Sequence, residues 1–197
     1  MNRRGFLRNA AGAGLALGAG LPAIGRRLAA AGPGPNLSRV EARYYVKLSD
    51  REIECRLCPK LCRLGDKERG YCGVRENIGG TYYTLVYGKV CSLNIDPIEK
   101  KPFFHVLPGT SALSLATAGC NLNCKFCQNW EISQIRPEQI EAFDVAPETA
   151  AARAAGSGCP SIAYTYSEPT VFFEYMYDTA VEARRKNIRN VVVTAGY

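Results

Sequence analysis

From residue 111 onward the chain alternates between two hydrophobic rhythms. The run "SALSLAT", 111–117, is short, continuous and apolar, and it stops at Gly119, the pattern of a buried strand feeding a loop. Next, "PETAAARAAG", 147–156, predicts a helix with proline in its first turn and glycine at its end. A second strand is predicted at "SIAYTYS", 161–167. In "TVFFEYMYDTAVEARRKN", 170–187, helical spacing puts Phe172, Tyr175, Met176, Thr179 and Ala183 on one face, with Arg184, Arg185 and Lys186 at the C-terminal end, where the dipole favours cations. A third strand is predicted at "NVVVTAG", 190–196. Such alternation predicts an α/β fold with a parallel sheet and right-handed crossovers, hence a site at the strands' carboxyl ends. Upstream, Gly79-Gly80 turns into "TYYTLVYGKVCSL", 81–93, aromatic and β-branched enough to read as one strand. The domains expected are a leader over 1–31, a linker over 32–54, a Cys-rich module over 55–108 closed by Pro108-Gly109, and the α/β core over 109–197.

Charge changes this picture little. The chain has 197 residues and a formal charge of +7, but the first 31 residues hold five arginines and no acid, which leaves +2 for the rest. The basic balance belongs to the leader, and nucleic-acid binding loses its main support. That leader places Arg3-Arg4 before Phe6-Leu7, an uncharged stretch from Asn9 to Gly25 and an Ala29-Ala30-Ala31 run. It resembles a twin-arginine export signal. The resemblance implies folding around any cofactor in the cytoplasm, followed by export of the folded protein to the periplasm or cell envelope. A plain Gly/Ala arm is the competing reading, and the stretch is too weakly apolar for a membrane span.

Nine cysteines bring in candidate chemistry. Cys55, Cys58, Cys62 and Cys72 form one set and Cys120, Cys124 and Cys127 another, while Cys91 and Cys159 stand alone as small buried apolar residues. Thiols two or three residues apart pair poorly with each other but converge readily on a metal. Three thiolates can hold three irons of a cubane cluster and leave the fourth open to a small molecule. A three-thiolate catalytic zinc is the alternative, although structural zinc wants four ligands and the single histidine, His105, is fifteen residues before Cys120. The four-cysteine set has ligands enough for a structural zinc or a closed second iron-sulfur cluster.

The C-x3-C-x2-C spacing with Phe126 before the last cysteine resembles the signature of radical S-adenosylmethionine enzymes. Asn129 in "CQNW" stands as in activating enzymes for glycyl radical enzymes. "CRLCPKLC", "GYCGVREN", "DPIEKKPFFHVLPG" and "CKFCQNWEIS" together resemble the radical enzyme of the AmmeMemoRadiSam system, a relative of pyruvate formate-lyase activating enzyme, from Cys55 to Tyr197. The resemblance implies an incomplete (β/α) barrel, a partial TIM barrel of first strands only, behind the Cys-rich module. It implies a [4Fe-4S] cluster on Cys120, Cys124 and Cys127 that reduces S-adenosylmethionine, releasing methionine and a 5'-deoxyadenosyl radical that takes a hydrogen atom from substrate. Phe126, Asn129, Ser167, Glu168, Pro169 and Thr194 are implied as cofactor-binding, with Ser167-Glu168-Pro169 at the methionine amino group. Ala195 stands where many such enzymes carry Asn.

The implied partners are an electron donor such as a flavodoxin or ferredoxin and an unknown protein or small-molecule substrate. The residues name no catalytic side chain. A non-enzymatic iron-sulfur electron carrier is the alternative function, and a zinc-binding interaction module a third. His105 is expected as a core or inter-module residue and Trp130 beside the cluster. Because radical enzymes of this kind usually complete six strands, the chain is expected to supply only the first part of a catalytic unit.

Overall fold

In the computed structural model, residues 36–197 are described; the leader reading lies outside them. In chain order the strands begin with β1 (Val40–Glu41), β2 (Tyr45–Lys47), β3 (Ile53–Cys55), β4 (Arg63–Leu64), β5 (Arg75–Ile78), β6 (Thr81–Thr84), β7 (Lys89–Val90) and β8 (Ser92–Pro97). Then come β9 (Ser111–Ala116), α1 (Trp130–Ser133), β10 (Phe143–Asp144), α2 (Pro147–Gly156), β11 (Ser161–Tyr164), α3 (Phe173–Arg185) and β12 (Arg189–Val192). The result is a mixed α/β protein.

The sheet that carries the predicted strands has the order β12-β11-β9-β8. Strand β11 pairs in parallel with both β9 and β12, aligning Ala163 with Ser114 and with Val191. From Ala112 to Ala116 strand β9 is buried throughout, as expected of a strand covered on both faces. Helix α2 buries Ala150, Ala151 and Ala154. Helix α3 buries Tyr175, Thr179 and Ala183, and the turn before it buries Phe172; full burial of an aromatic side chain contributes about 1.5–3 kcal/mol. After α3, Asn187 takes the left-handed conformation (φ 58°) that ends many helices.

Two expectations are corrected. The sheet is not wholly parallel, because β8 adds an antiparallel edge to β9, from Ser92 opposite Ala116 to Pro97 opposite Ser111. Its Asn94, Asp96 and Pro97 are poor strand formers, but an edge tolerates a proline that cannot donate to the ladder. Likewise "TYYTLVYGKVCSL" is not one strand. Turning at Leu85 to Gly88, it contributes β6, β7 and the start of β8 to three different sheets.

The cysteine-rich segment folds as sheets β1-β6-β5 and β2-β3-β4, while β7 pairs with β10. It has a small core of its own around Ile53, Leu64 and Tyr82. Yet Val74, Val86 and Val90 belong to the main core with Leu115, Ile162 and Tyr175, and the described residues form one compact unit. Strands β1 and β2 fall in the stretch read as linker.

A buried ion pair ties this segment to α3. Arg75, 1% exposed, forms a forked pair with Glu174, 2% exposed, and its Nε donates to the Val171 carbonyl at 3.0 Å. Glu174 also accepts the Arg43 backbone N–H at 2.9 Å.

Gly119 marks a second close approach. Its φ is 88°, and a Cβ there would lie 2.4 Å from Val74 Cγ1 and 2.6 Å from the Cys72 carbonyl oxygen. Gly119→Ala should therefore lower the unfolding free energy by about 2–4 kcal/mol through backbone strain and overpacking together. Chemical denaturation measures this, and an unchanged midpoint would contradict the contact.

Candidate metal and cofactor site

Strand β9 ends at Ala116 and delivers the chain into a loop that carries Cys120, Cys124 and Cys127 before α1. Local hydrogen bonds set the loop's shape. Gly119 N–H donates to the Ile132 carbonyl at 2.8 Å, drawing α1 back over the loop's start. Cys127 N–H donates to the Cys124 carbonyl at 3.3 Å, and Gln134 Nε2 donates to the same oxygen at 2.9 Å. Leu122 N–H points at Cys120 Sγ (3.4 Å), and Cys127 Sγ lies 3.2 Å from Ser133 Oγ. All three thiols are free of disulfides. Burial pushes the Cys120 thiol above its ordinary value, so metal binding there must displace a proton.

The donor set is all sulfur. Among the described residues, no three His, Cys, Asp or Glu side chains converge on a single ion position. Three soft thiolates on one short loop are the donor type that iron-sulfur clusters take, one sulfur to each iron.

The opposite wall is the carboxyl end of β11, as the sequence predicts. Ser167 Oγ donates to the Thr117 carbonyl at 2.8 Å, joining the ends of β11 and β9. Pro169 opens a 3-10 turn for which Glu168 is the cap. The Glu168 carboxylate, implied as partner to an ammonium, is almost fully buried and already engaged. One oxygen accepts from Thr194 Oγ1 (2.6 Å), Thr170 Oγ1 (2.9 Å) and Thr170 N–H (3.3 Å), the other from Ala195 N–H (2.9 Å). Asn129 bridges the two walls, its Nδ2 donating to the Tyr166 carbonyl at 3.0 Å.

Phe126 stands 91% exposed on the cysteine loop, and Trp130 is also exposed rather than packed. His105 lies exposed in the loop before β9, which corrects its reading as a core residue.

Sequence reasoning assigned no role to a polar network beside the site. Asp96, on β8, receives Lys100 Nζ at 2.7 Å, Lys101 Nζ at 2.6 Å and the Tyr166 hydroxyl. Lys101 is 3% exposed, and its ammonium lies 4.1 Å from the centre of the Tyr166 ring. Tyr166 adopts φ 67°, a strained conformation for a bulky residue and one the network holds in place. The run "DPIEKK" was the available signal, but only pairing β8 with β9 brings Asp96 to Tyr166. The cleft there is also lined by Asn94, Lys100, Gln128 and Glu131.

Fold and site together define an α/β protein with a cysteine loop at the carboxyl end of its sheet. Residues 114–197, from within β9 to Tyr197, match the model of the Radical SAM superfamily. Enzymes of this superfamily typically use a [4Fe-4S] cluster and S-adenosylmethionine. An uncharacterized protein of Methanocaldococcus jannaschii is 52% identical over 157 residues, covering 80% of this chain and 47% of that protein. A second uncharacterized protein of the same organism is 29% identical over 102 residues, 46% of this chain and 25% of its own length. The chain thus spans about half the length of the first relative. No solved structure matches it. Among the described residues no helix is long and apolar enough to cross a membrane.

Two outcomes follow from this geometry. Glu168→Gln should lower stability by roughly 1–3 kcal/mol, because an amide nitrogen would face a donor where the carboxylate now accepts; thermal or urea unfolding measures it, and wild-type stability would contradict the anchoring. Burial alone would raise the Asp96 carboxyl, but Lys100, Lys101 and Tyr166 hold it well below the usual range. A depressed carboxylate contributes stability above its unfolded value of about 3.9 and loses it as pH falls toward the folded one. Asp96→Asn should therefore be less stable than wild type at pH 7, and the gap should shrink below about pH 4, as read from urea midpoints across pH.

Proposed function

We propose that the chain is part of a radical S-adenosylmethionine enzyme related to the AmmeMemoRadiSam radical enzyme and to pyruvate formate-lyase activating enzyme. The observation that carries this reading is the loop of Cys120, Cys124 and Cys127, which leaves β9 inside the span matching the superfamily and faces the Ser167-Glu168-Pro169 turn. Those three thiolates would hold the cluster. When bound, the cluster supplies the single electron that cleaves S-adenosylmethionine to methionine and a 5'-deoxyadenosyl radical.

The chain's own residues shape the surroundings. Glu168 holds Thr170, Thr194 and Ala195 together, so the ends of β11 and β12 present a stiff rim on which backbone carbonyls near Ser167 can meet the methionine ammonium. Asn129 keeps the cysteine loop against Tyr166. Exposed Phe126 is available to an adenine ring. The parallel strands are those of an incomplete (β/α) barrel. An electron donor such as a flavodoxin or ferredoxin and an unidentified protein or small-molecule substrate complete the proposal, with export by the twin-arginine leader after cluster assembly. The superfamily match argues against the simple electron carrier.

Replacing Cys120, Cys124 and Cys127 together by Ala should abolish 5'-deoxyadenosine formation under dithionite, assayed by chromatography of anaerobic reactions. Undiminished product from that variant would overturn the reading.

A further inference from the structure

Tyr166 holds a backbone conformation (φ 67°) that glycine takes freely and a bulky side chain does not. A residue stays in such a place only when its surroundings over-determine it. Here three separate segments do so. From the antiparallel edge β8, one oxygen of the Asp96 carboxylate accepts both the Tyr166 hydroxyl and Lys101 Nζ. Asn94 Nδ2, also on β8, donates to the same hydroxyl at 3.3 Å. The Lys101 ammonium lies 4.1 Å from the centre of the Tyr166 ring. From the cysteine loop, Asn129 Nδ2 donates to the Tyr166 carbonyl at 3.0 Å, two residues beyond Cys127.

Space-filling does not account for this arrangement. Tyr166 lines a polar cleft with Asn94, Lys100, Gln128 and Glu131, and it is absent from the apolar cores. Asp96 and Lys101 are 6% and 3% exposed, so their charges must stay paired and the clasp around the tyrosine is stiff. What the clasp controls lies next in sequence. Ser167 is fastened to the Thr117 carbonyl through its side chain, and Glu168 is anchored through its carboxylate to Thr194 and Ala195. The direction of the backbone entering that turn is left to Tyr166.

We propose that Tyr166 is a positioning residue for cofactor binding. Clasped by Asp96 and Lys101, it turns the Ser167 and Glu168 backbone so that carbonyls there meet the methionine ammonium of S-adenosylmethionine, and through Asn129 it keeps that turn in register with the cysteine loop. Tyr166 acts through the backbone and takes no part in the chemistry. The assignment rests on the radical-enzyme reading.

The test uses the full chain with its cluster reconstituted anaerobically. Tyr166→Phe keeps the ring beside the Lys101 ammonium and removes only the hydroxyl, whereas Tyr166→Gly removes the clasp and the strain together. Both variants should keep the wild-type cluster absorbance yet bind S-adenosylmethionine roughly 10-fold more weakly by equilibrium dialysis, the scale of releasing one strained backbone position. Before cofactor is added, hydrogen exchange read by mass spectrometry should quicken in peptides covering 165–170, while peptides from β9 and α3 keep wild-type rates. Wild-type affinity in either variant would overturn the proposal, as would unchanged exchange at 165–170. Exchange that quickens evenly along the chain would also overturn it, by making Tyr166 an ordinary stabilising residue. The two readings fail differently: a wild-type chain that binds no S-adenosylmethionine with its cluster in place sinks the radical-enzyme reading, whereas wild-type binding that both variants match sinks this proposal alone.

Discussion

Arg75 and Glu174 are both cut off from water, and much of the structure follows from holding that pair together. An isolated charge in such a place is prohibitively costly, and removing one partner of a buried pair typically destabilises by about 3–5 kcal/mol. Each group therefore has to keep its remaining valences satisfied. Arg75 does so through the Val171 carbonyl, in the turn that follows Glu168, and Glu174 through the Arg43 N–H. The consequence is geometric. Strand β5, the loop after β1, the Pro169–Phe172 turn and the first turn of α3 are locked to one another, and Cys72 is carried into place three residues before Arg75.

The Glu168 carboxylate plays a similar part at the open end of the sheet. Parallel strands end with backbone groups that the ladder no longer satisfies, and at β11 and β12 those groups are gathered by one buried anion instead of by water. Tyr166, strained and clasped between Asp96 and Asn129, fixes the approach to that anion from the other side. Rigidity at this rim is what a site needs if it is to position a small charged ligand against a cysteine loop, since loops alone hold geometry less well than strand ends.

Local signals decided a good deal. The helices at 147–156 and 173–185 and the strands at 111, 161 and 189 form within a few residues of where periodicity, proline and glycine put them, because each buries one face or both against the same core. The cysteine grouping in "CNLNCKFC" is visible in the sequence because its three thiols lie within one short loop. Strand β8 was not readable. Its Asn94, Asp96 and Pro97 suit no strand template, and its pairing depends on an exposed edge of β9 elsewhere in the chain.

What the sequence alone determined is therefore the list of short-range structures: amphipathic helices, buried strands, and two groups of thiols with ligand spacing. Tertiary structure alone decided that the groups are neighbours, that Gly119 must lack a side chain to let Cys72 and Val74 approach, and that Glu168 is held by Thr194 and Ala195. It also decided that Asp96 and Lys101 belong beside Tyr166. The division has a physical cause. Period and capping act over a few residues, whereas burial of a charge and close backbone contact depend on segments tens of residues apart, which no local pattern encodes.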